Sequence, residues 1–247
     1  MSLIRVYINK KIKKGFLDLD NPQTHYLINV MRLKNGDSFN IFNENDGEWR
    51  ASVSSSKKNS FTIKVENFIG IQPKPADIWV LFAPVKSLRV DFISQKITEL
   101  GARLIWPILT ERTQIRKIKS SKIISNAIEA AEQCGSTHIP IVNEVETLEY
   151  IIENWSDLSK DRILIFCDEN STIKFSEALD KLKESNKNDK WAILVGPEGG
   201  FSNSEREKIL NLKNSVSLTL GKRILRSDTA IVSALSVFHS LLGDWKE

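Results

Sequence analysis

Residues 193–205 read ILVGPEGGFSNSE. An apolar run of strand character gives way to Gly-Pro-Glu-Gly-Gly, and Ser202 and Glu205 follow at capping-box spacing, the start of a helix. The chain has only eleven glycines and seven prolines, yet three of the first and one of the second fall within these five positions. The segment is neither G-x-G-x-x-G nor a Walker A loop, since it has no Gly-Lys-Ser/Thr and Pro197 removes a backbone donor. Glu198 argues against a phosphate ligand and suits a cationic or donor-rich one. A strand that breaks into such a loop lies where open α/β sheets bind ligands, and its glycines allow close backbone approach to a flat heterocycle. A tight strand–helix turn is the plainer alternative, but two adjacent glycines and an acid go beyond what a turn requires.

A second loop of the same kind occupies residues 220–230, LGKRILRSDTA. It too follows an apolar strand, starts at a glycine and precedes an apolar helix, with Ser227, Asp228 and Thr229 as N-cap types. Two such loops, from the ends of successive strands, can form two walls of one pocket. From residue 77 onward apolar runs alternate with amphipathic segments. DIWVLFAPV, RLIWPIL, RILIFCDE, WAILVGPEGG and SVSLTLG read as strands. SLRVDFISQKITELG, SNAIEAAEQCG, FSEALDKLK, SNSEREKILNL and TAIVSALSVFHSLLGDW read as helices. In the first of these, Leu88, Phe92, Ile93, Ile97 and Leu100 share a face, and Gly101 ends it. Continuous apolar strands alternating with helices predict an α/β fold with a mostly parallel sheet covered on both faces.

The first seventy residues differ. After a first strand IRVYI and a helical stretch HYLINVMRLKNGD, segments 37–42, 49–53 and 61–65 alternate apolar and polar residues between turn-rich connections. That pattern predicts a small antiparallel barrel. IQPKPAD, residues 71–77, has two prolines and no periodicity. The expected division is therefore 1–72 and 73–247.

With 247 residues and a formal charge of +4, composition is that of a globular protein. No apolar run is long enough for a membrane span, and MSLIRVYINKKIKKG lacks a signal-peptide core, so a cytoplasmic protein is expected. Cys134 and Cys167 have no Cys-x-x-Cys or histidine-pair context, which argues for reduced thiols and against a disulfide or metal site. Lysines 10, 11, 13 and 14, and a mid-chain group of Arg112, Arg116, Lys117, Lys119 and Lys122, read either as solvated faces or as contacts to a polyanion such as nucleic acid. His25 reads as structural, and His138 and His239 as unsuited to catalysis.

At its two glycine loops the chain resembles the ribosomal RNA small-subunit methyltransferase E family of the SPOUT superfamily. VGPEGGFS paired with LGKRILRSDTA looks like the family signature. KITELGARLIWPILTERTQ and AIEAAEQCGSTHIPIV resemble its middle blocks, and HYLINVMRLKNGDSFNIFN its PUA-like barrel. Ser227-Asp228 stands where the family usually has Thr-Glu, and Cys134 where serine is frequent. The resemblance implies a SPOUT-type domain with a C-terminal trefoil knot behind a PUA-like barrel. It implies S-adenosylmethionine-dependent methylation of a uridine N3 in 16S ribosomal RNA, and a homodimer. Cofactor contacts would fall to Val195, Gly196, Gly199, Gly200, Leu220, Gly221, Ile224, Leu225 and Arg226. An imide nitrogen must lose its proton to attack well, so a base or a charge-stabilising cation is needed. Arg226 is the expected cation, and Glu198 and Asp228 are the carboxylates in reach. Arg5, Arg32, Lys86 and Arg112 are the expected RNA contacts. Two other readings are a SPOUT enzyme acting on another RNA or on a ribose 2′-hydroxyl, and a non-catalytic RNA-binding ribosome-assembly factor.

Overall fold

The computed structural model describes residues 4–20, 23–24, 26–57, 60–85, 87–159, 161–175, 177–178, 182 and 189–246. The chain divides into two compact units. One comprises Met1–Lys74 with Ala131–Ile139, the other Pro75–Ala130 with Pro140–Glu247.

The first unit is a five-stranded sheet of β1 (Arg5–Tyr7), β2 (Gly15–Leu19), β3 (Ser38–Asn43), β4 (Gly47–Lys57) and β5 (Ser60–Gly70), ordered β1-β3-β4-β5-β2. The pairings are antiparallel except β1 with β3, which run parallel and so depart from the all-antiparallel expectation. Alternation along β3–β5 sends Phe39, Ile41, Phe61 and Ile63 into a core where each is fully buried. The stretch expected as a helix at HYLINVMRLKNGD makes only one π-helical turn, Tyr26–Val30. Its amide–carbonyl bond from Met31 to Tyr26 is followed by Leu33 bonding back to Leu27, and Arg32 takes φ 55°. The turn closes on itself because buried Leu27 anchors it, and the chain must reach the Gly36 turn at φ 90° soon after.

The second unit is built on a parallel sheet of β6 (Asp77–Phe82), β7 (Leu104–Leu109), β8 (Ile141–Val142), β9 (Glu146–Thr147), β10 (Ile163–Cys167), β11 (Lys190–Val195) and β12 (Ser215–Leu218). Its order is β12-β10-β11-β6-β7-β8, with β9 also on β7, and every pairing is parallel. Helices α1 (Ser87–Glu99), α2 (Ser120–Cys134), α3 (Leu148–Glu153), α4 (Trp155–Ser159), α5 (Asn203–Leu210) and α6 (Ser227–Leu241) accompany it. Apolar cores lie on both faces, one around Val80, Ile165, Ile193 and Phe238, the other around Leu81, Trp106, Phe166 and Leu194. The expected α/β fold with a parallel sheet, behind a small β domain, is the one observed.

Two local readings change. On α1 the buried apolar side chains among the described residues are Val90, Ile93 and Ile97, while Phe92 is 43% exposed. The Leu88 side chain lies outside the described residues, as does most of the helix expected at FSEALDKLK. Helices α3 and α4 and the short strands β8 and β9 were not foreseen. Among the described residues no helix is long and apolar enough to cross a membrane.

The sheet order positions the site. Strands β12, β10 and β11 lie side by side and parallel, so their carboxyl ends open along one edge. The three loops that leave them are neighbours in space although about fifty residues of sequence separate first from last.

Candidate active site

At the end of β11 the chain enters Gly196-Pro197-Glu198-Gly199-Gly200, and each glycine has its own reason. A Cβ on Gly196 would lie 2.6 Å from Cε2 of Phe201, whose ring folds back and packs edge-on against Phe166 at 5.1 Å. Gly200 takes φ 65° and its amide donates to the Pro197 carbonyl at 2.9 Å, closing a tight turn. Gly199 faces the other way, with the Arg112 side chain against its Cα and Arg112 Nη1 donating to its carbonyl at 2.8 Å. The loop ends at Ser202, which caps α5 in a full capping box with Glu205. Glu205 Oε1 also accepts from the Glu111 amide at 2.8 Å, so the loop after β7 is braced against α5.

The second loop runs from Thr219 to Arg226 after β12. Gly221 takes φ 115°, and Thr219 Oγ1 accepts from its amide at 3.2 Å. The two loops are joined directly, since the hydroxyl of buried Ser227, first residue of α6, donates to the Gly196 carbonyl at 2.7 Å.

A third wall comes from Cys167-Asp168-Glu169-Asn170 after β10. Asp168 is buried; its Oδ2 accepts from Arg206 Nε at 2.8 Å and from the Ser217 hydroxyl at 3.1 Å, which locks this loop to α5 and β12. The Cys167 thiol is enclosed, and burial pushes its pKa up to about 12, although the residue as a whole keeps some exposure. It is therefore an apolar lining group and not a nucleophile. Sequence reasoning missed this wall, though the signal was present: CDEN stops an apolar strand as abruptly as GPEGG does.

Together the three loops enclose about 800 Å³ counted out to the open mouth. Val195, Leu220, Leu225 and Ala230 give it apolar surface, and Asp168, Glu169 and Glu198 make its polar side acidic, with Arg206 and Arg223 also on the wall. Arg89, which projects from α1, was not singled out in the sequence. Its Nη1 donates to Glu198 Oε1 at 2.8 Å, so this carboxylate is held from outside the pocket.

The expected site residues sort unevenly. Val195, Gly196, Gly200, Leu220, Gly221, Ile224 and Leu225 line the pocket, and so does Glu198. Gly199 does not; its surroundings are those of Arg112. Arg226 is not among the lining residues either: it is the exposed, extended N-cap residue of α6 and makes no side-chain cap bond. Asp228 sits in the first turn of α6, off the pocket, with Oδ1 accepting from the Thr229 amide at 2.7 Å.

Of the expected RNA contacts, Arg32 is exposed and Arg112 is exposed but bound to Gly199, while Lys86 lies outside the described residues, as does His25. Arg5 is structural. It pairs with both Glu48 carboxylate oxygens at 3.1 and 3.0 Å, donates to the Ala131 and Gly135 carbonyls at 2.7 and 3.0 Å, and covers the Phe42 ring at 4.3 Å. A guanidinium so committed has no donor left for a phosphate.

Known proteins bear on this arrangement. Residues 72–239 match the family model of the RNA methyltransferase domain, and residues 19–66 that of the RNA methyltransferase PUA domain. The ribosomal RNA small subunit methyltransferase E of Rickettsia conorii is 28% identical, covering 98% of this chain and 97% of its own length. That of Bacillus subtilis is 28% identical over 88% of this chain and 87% of its own. A Legionella pneumophila structure solved in complex with the bound cofactor SAM superposes with TM-score 0.86 and 27% identity, covering 99% of this chain and 100% of that one.

Proposed function

We propose that this chain, which belongs to the RNA methyltransferase family, uses S-adenosylmethionine to methylate N3 of a uridine in 16S ribosomal RNA of the small ribosomal subunit. The observation that carries the reading is the pocket where three adjacent strand ends meet, with glycine backbone on two walls and a tethered carboxylate, Glu198, on its rim. Relatives along nearly the whole chain bear the name of that ribosomal RNA enzyme, which supports the substrate class.

The residues present fit the cofactor. Its adenosine has apolar surface at Val195, Leu220, Leu225 and Ala230, with backbone brought close at Gly196, Gly200 and Gly221. Its positive charge suits a wall bearing Asp168, Glu169 and Glu198. When bound, the cofactor supplies an electrophilic methyl group. The chain supplies position and proton management. In this reading Glu198, which lines the pocket, takes the imide proton from N3, while Asp228 stands in the first turn of α6. Arg226, exposed beside the mouth, is the cation that would stabilise charge on the uracil oxygens as the proton leaves. Arg112 and Arg32 then act through the RNA backbone.

The reading includes a knotted path for the C-terminal segment, a cytoplasmic setting and pairing with a second copy. For pairing, α6 offers a small outward face. Its large apolar side chains already pack inward, and Val232 and Val237 remain half-buried among Ser233, Ser236 and Ser240.

Two measurements test the reading in order. Calorimetry should show S-adenosylmethionine binding at one site per chain, and absence of binding would remove any methyltransferase reading. An N3 methyl blocks the Watson–Crick edge, so reverse transcriptase should stop at one position of small-subunit RNA from cells carrying the gene. The stop should vanish on deletion and return when purified protein and cofactor are added. Transfer to a ribose 2′-hydroxyl would replace the stop by resistance of one linkage to alkali, and would overturn the N3 assignment.

A further inference from the structure

The lysines that open the chain have no part in the site above. Lys10 and Lys11 line a second cavity, entirely within the first unit, of about 880 Å³ counted out to its mouth. The residues after β1 form one side, the β3–β4 turn at Glu44-Asn45-Asp46 another, and Thr137 closes a third.

The walls are fixed from behind. Asn43, 9% exposed, donates to the Lys10 carbonyl at 2.9 Å and accepts from the Asp46 amide at 2.7 Å. Asp46 Oδ2 accepts from the Ile12 amide at 2.8 Å and from Asn43 at 3.0 Å. Those two bonds, the Ile12 amide first, hold its carboxyl below the usual range. Gln23 Nε2 donates to the Tyr7 carbonyl at 2.8 Å. Loop and turn are therefore tied together before any ligand arrives, which removes the ordering cost from binding.

Neither sign of charge dominates inside. Lys10 pairs with Asp20 at 2.6 Å, Lys11 offsets Asp46, and Glu44 lies 3.1 Å from His138 Nδ1. A small anion would meet carboxylates there. A flat heterocycle would meet what it needs, because the Asn45 amide offers both donor and acceptor, Asn9 offers its amide nitrogen while its Oδ1 accepts from the Tyr7 hydroxyl at 3.5 Å, and Tyr7 itself stands on the wall. Cations stand just outside in sequence, since Lys13 and Lys14 are both exposed.

We propose that this cavity holds one unpaired nucleotide of the RNA, its base against Asn9 and Asn45 and its phosphate at Lys11. The proposal rests on the RNA reading above only for the source of the nucleotide. The test is fluorescence anisotropy on the full chain with a labelled 12-nucleotide single-stranded RNA, the same sequence as a duplex, and free mononucleotides as competitors. Asn45→Ala and Lys11→Ala, both on exposed side chains, should each weaken single-strand binding by roughly three- to tenfold. Lys11→Ala should also lower the slope of log affinity against log salt by about 0.7. Thermal melting and S-adenosylmethionine affinity of both variants should match the parent chain. A 4-thiouridine in the strand should crosslink to residues 7–11 or 43–46. Unchanged affinity in both variants, equal affinity for duplex, or crosslinks elsewhere alone would overturn the proposal. Mononucleotides competing as well as the strand would make the ligand a free nucleotide and overturn the RNA source. Loss of the reverse-transcriptase stop prediction with these results intact would fault the methylation reading and leave the cavity's assignment standing.

Discussion

Gly196→Ala isolates the reason for the first glycine of the GPEGG loop. The backbone at Gly196 lies outside the left-handed region, so an alanine meets no conformational penalty there. What it meets is Phe201: the new Cβ would sit 2.6, 3.0 and 3.1 Å from Cε2, Cδ2 and Cζ of the ring. Three ring atoms below contact distance cannot be relieved by a small shift, so the ring must swing off Phe166 and give up its edge-on packing. Overpacking of this kind costs ~1–3 kcal/mol. For a chain of this size that lowers the melting temperature by roughly 2–12 °C. The control is Phe201→Ala, which costs ~2–4 kcal/mol alone through the cavity it leaves. In that background Gly196→Ala should cost less than about 0.5 kcal/mol, because the atoms it strikes are gone. Urea titrations of the four proteins give the coupling directly. An equal penalty for Gly196→Ala with and without the ring would refute the steric reasoning and point to backbone strain or ligand geometry in its place.

Other perturbations follow the same contacts. Ser227→Ala removes the 2.7 Å bond to the Gly196 carbonyl and should cost ~1–3 kcal/mol, while Ser227→Thr, keeping the hydroxyl, should restore most of it in thermal melts. Arg89→Met removes the tether on Glu198; the pair is 30% and 43% exposed, so stability should change by less than ~1 kcal/mol. Its turnover with RNA should fall about tenfold, with cofactor affinity by calorimetry unchanged, and equal loss of both would show that Arg89 acts on the pocket as a whole. Arg32→Ala should weaken RNA binding in a filter assay and leave cofactor affinity alone. Arg5→Met strands Glu48 and should destabilise the first unit by ~3–5 kcal/mol in urea. Burial pushes the Glu48 carboxyl up, but bonds from Arg5 and Asn40 outweigh it and hold the pKa below the usual range. The folded state then binds this proton less readily than the unfolded one. The stabilisation is present above pH ~4.3 and is lost as pH falls through the lower folded value. The destabilisation by Glu48→Gln should accordingly be largest near neutral pH and shrink below about pH 4.

Legibility in the sequence followed how local each cause was. The strands of the second unit were readable because parallel strands buried on both faces must be apolar throughout, as RILIF and WAILV are. The capping box at Ser202 and Glu205 was readable because both partners lie within four residues. The role of Arg5 was not, because its carbonyl acceptors at residues 131–136 are more than a hundred positions away. The same distance hid Arg89, whose meaning depends on Glu198. Phe92 misled because it matches the α1 period, while the buried face runs through Val90, two positions earlier, with Ile93 and Ile97. Asp228 carries the right chemistry for the site, but it stands in the first turn of α6, where its Oδ1 accepts from the Thr229 amide, whereas Arg226, one step before the helix, stays exposed.

The return of residues 131–139 to the first unit bears on modularity. Arg5 and Gln72 bond to carbonyls of that excursion, and Gln72 also accepts from the Thr137 amide at 2.9 Å. A 1–74 fragment would keep all five strands yet forfeit one wall of its cavity and the acceptors of its most committed arginine. This unit therefore cannot be transplanted by one cut at the proline-rich link; a gene fusion carrying it would have to bring the second piece in trans.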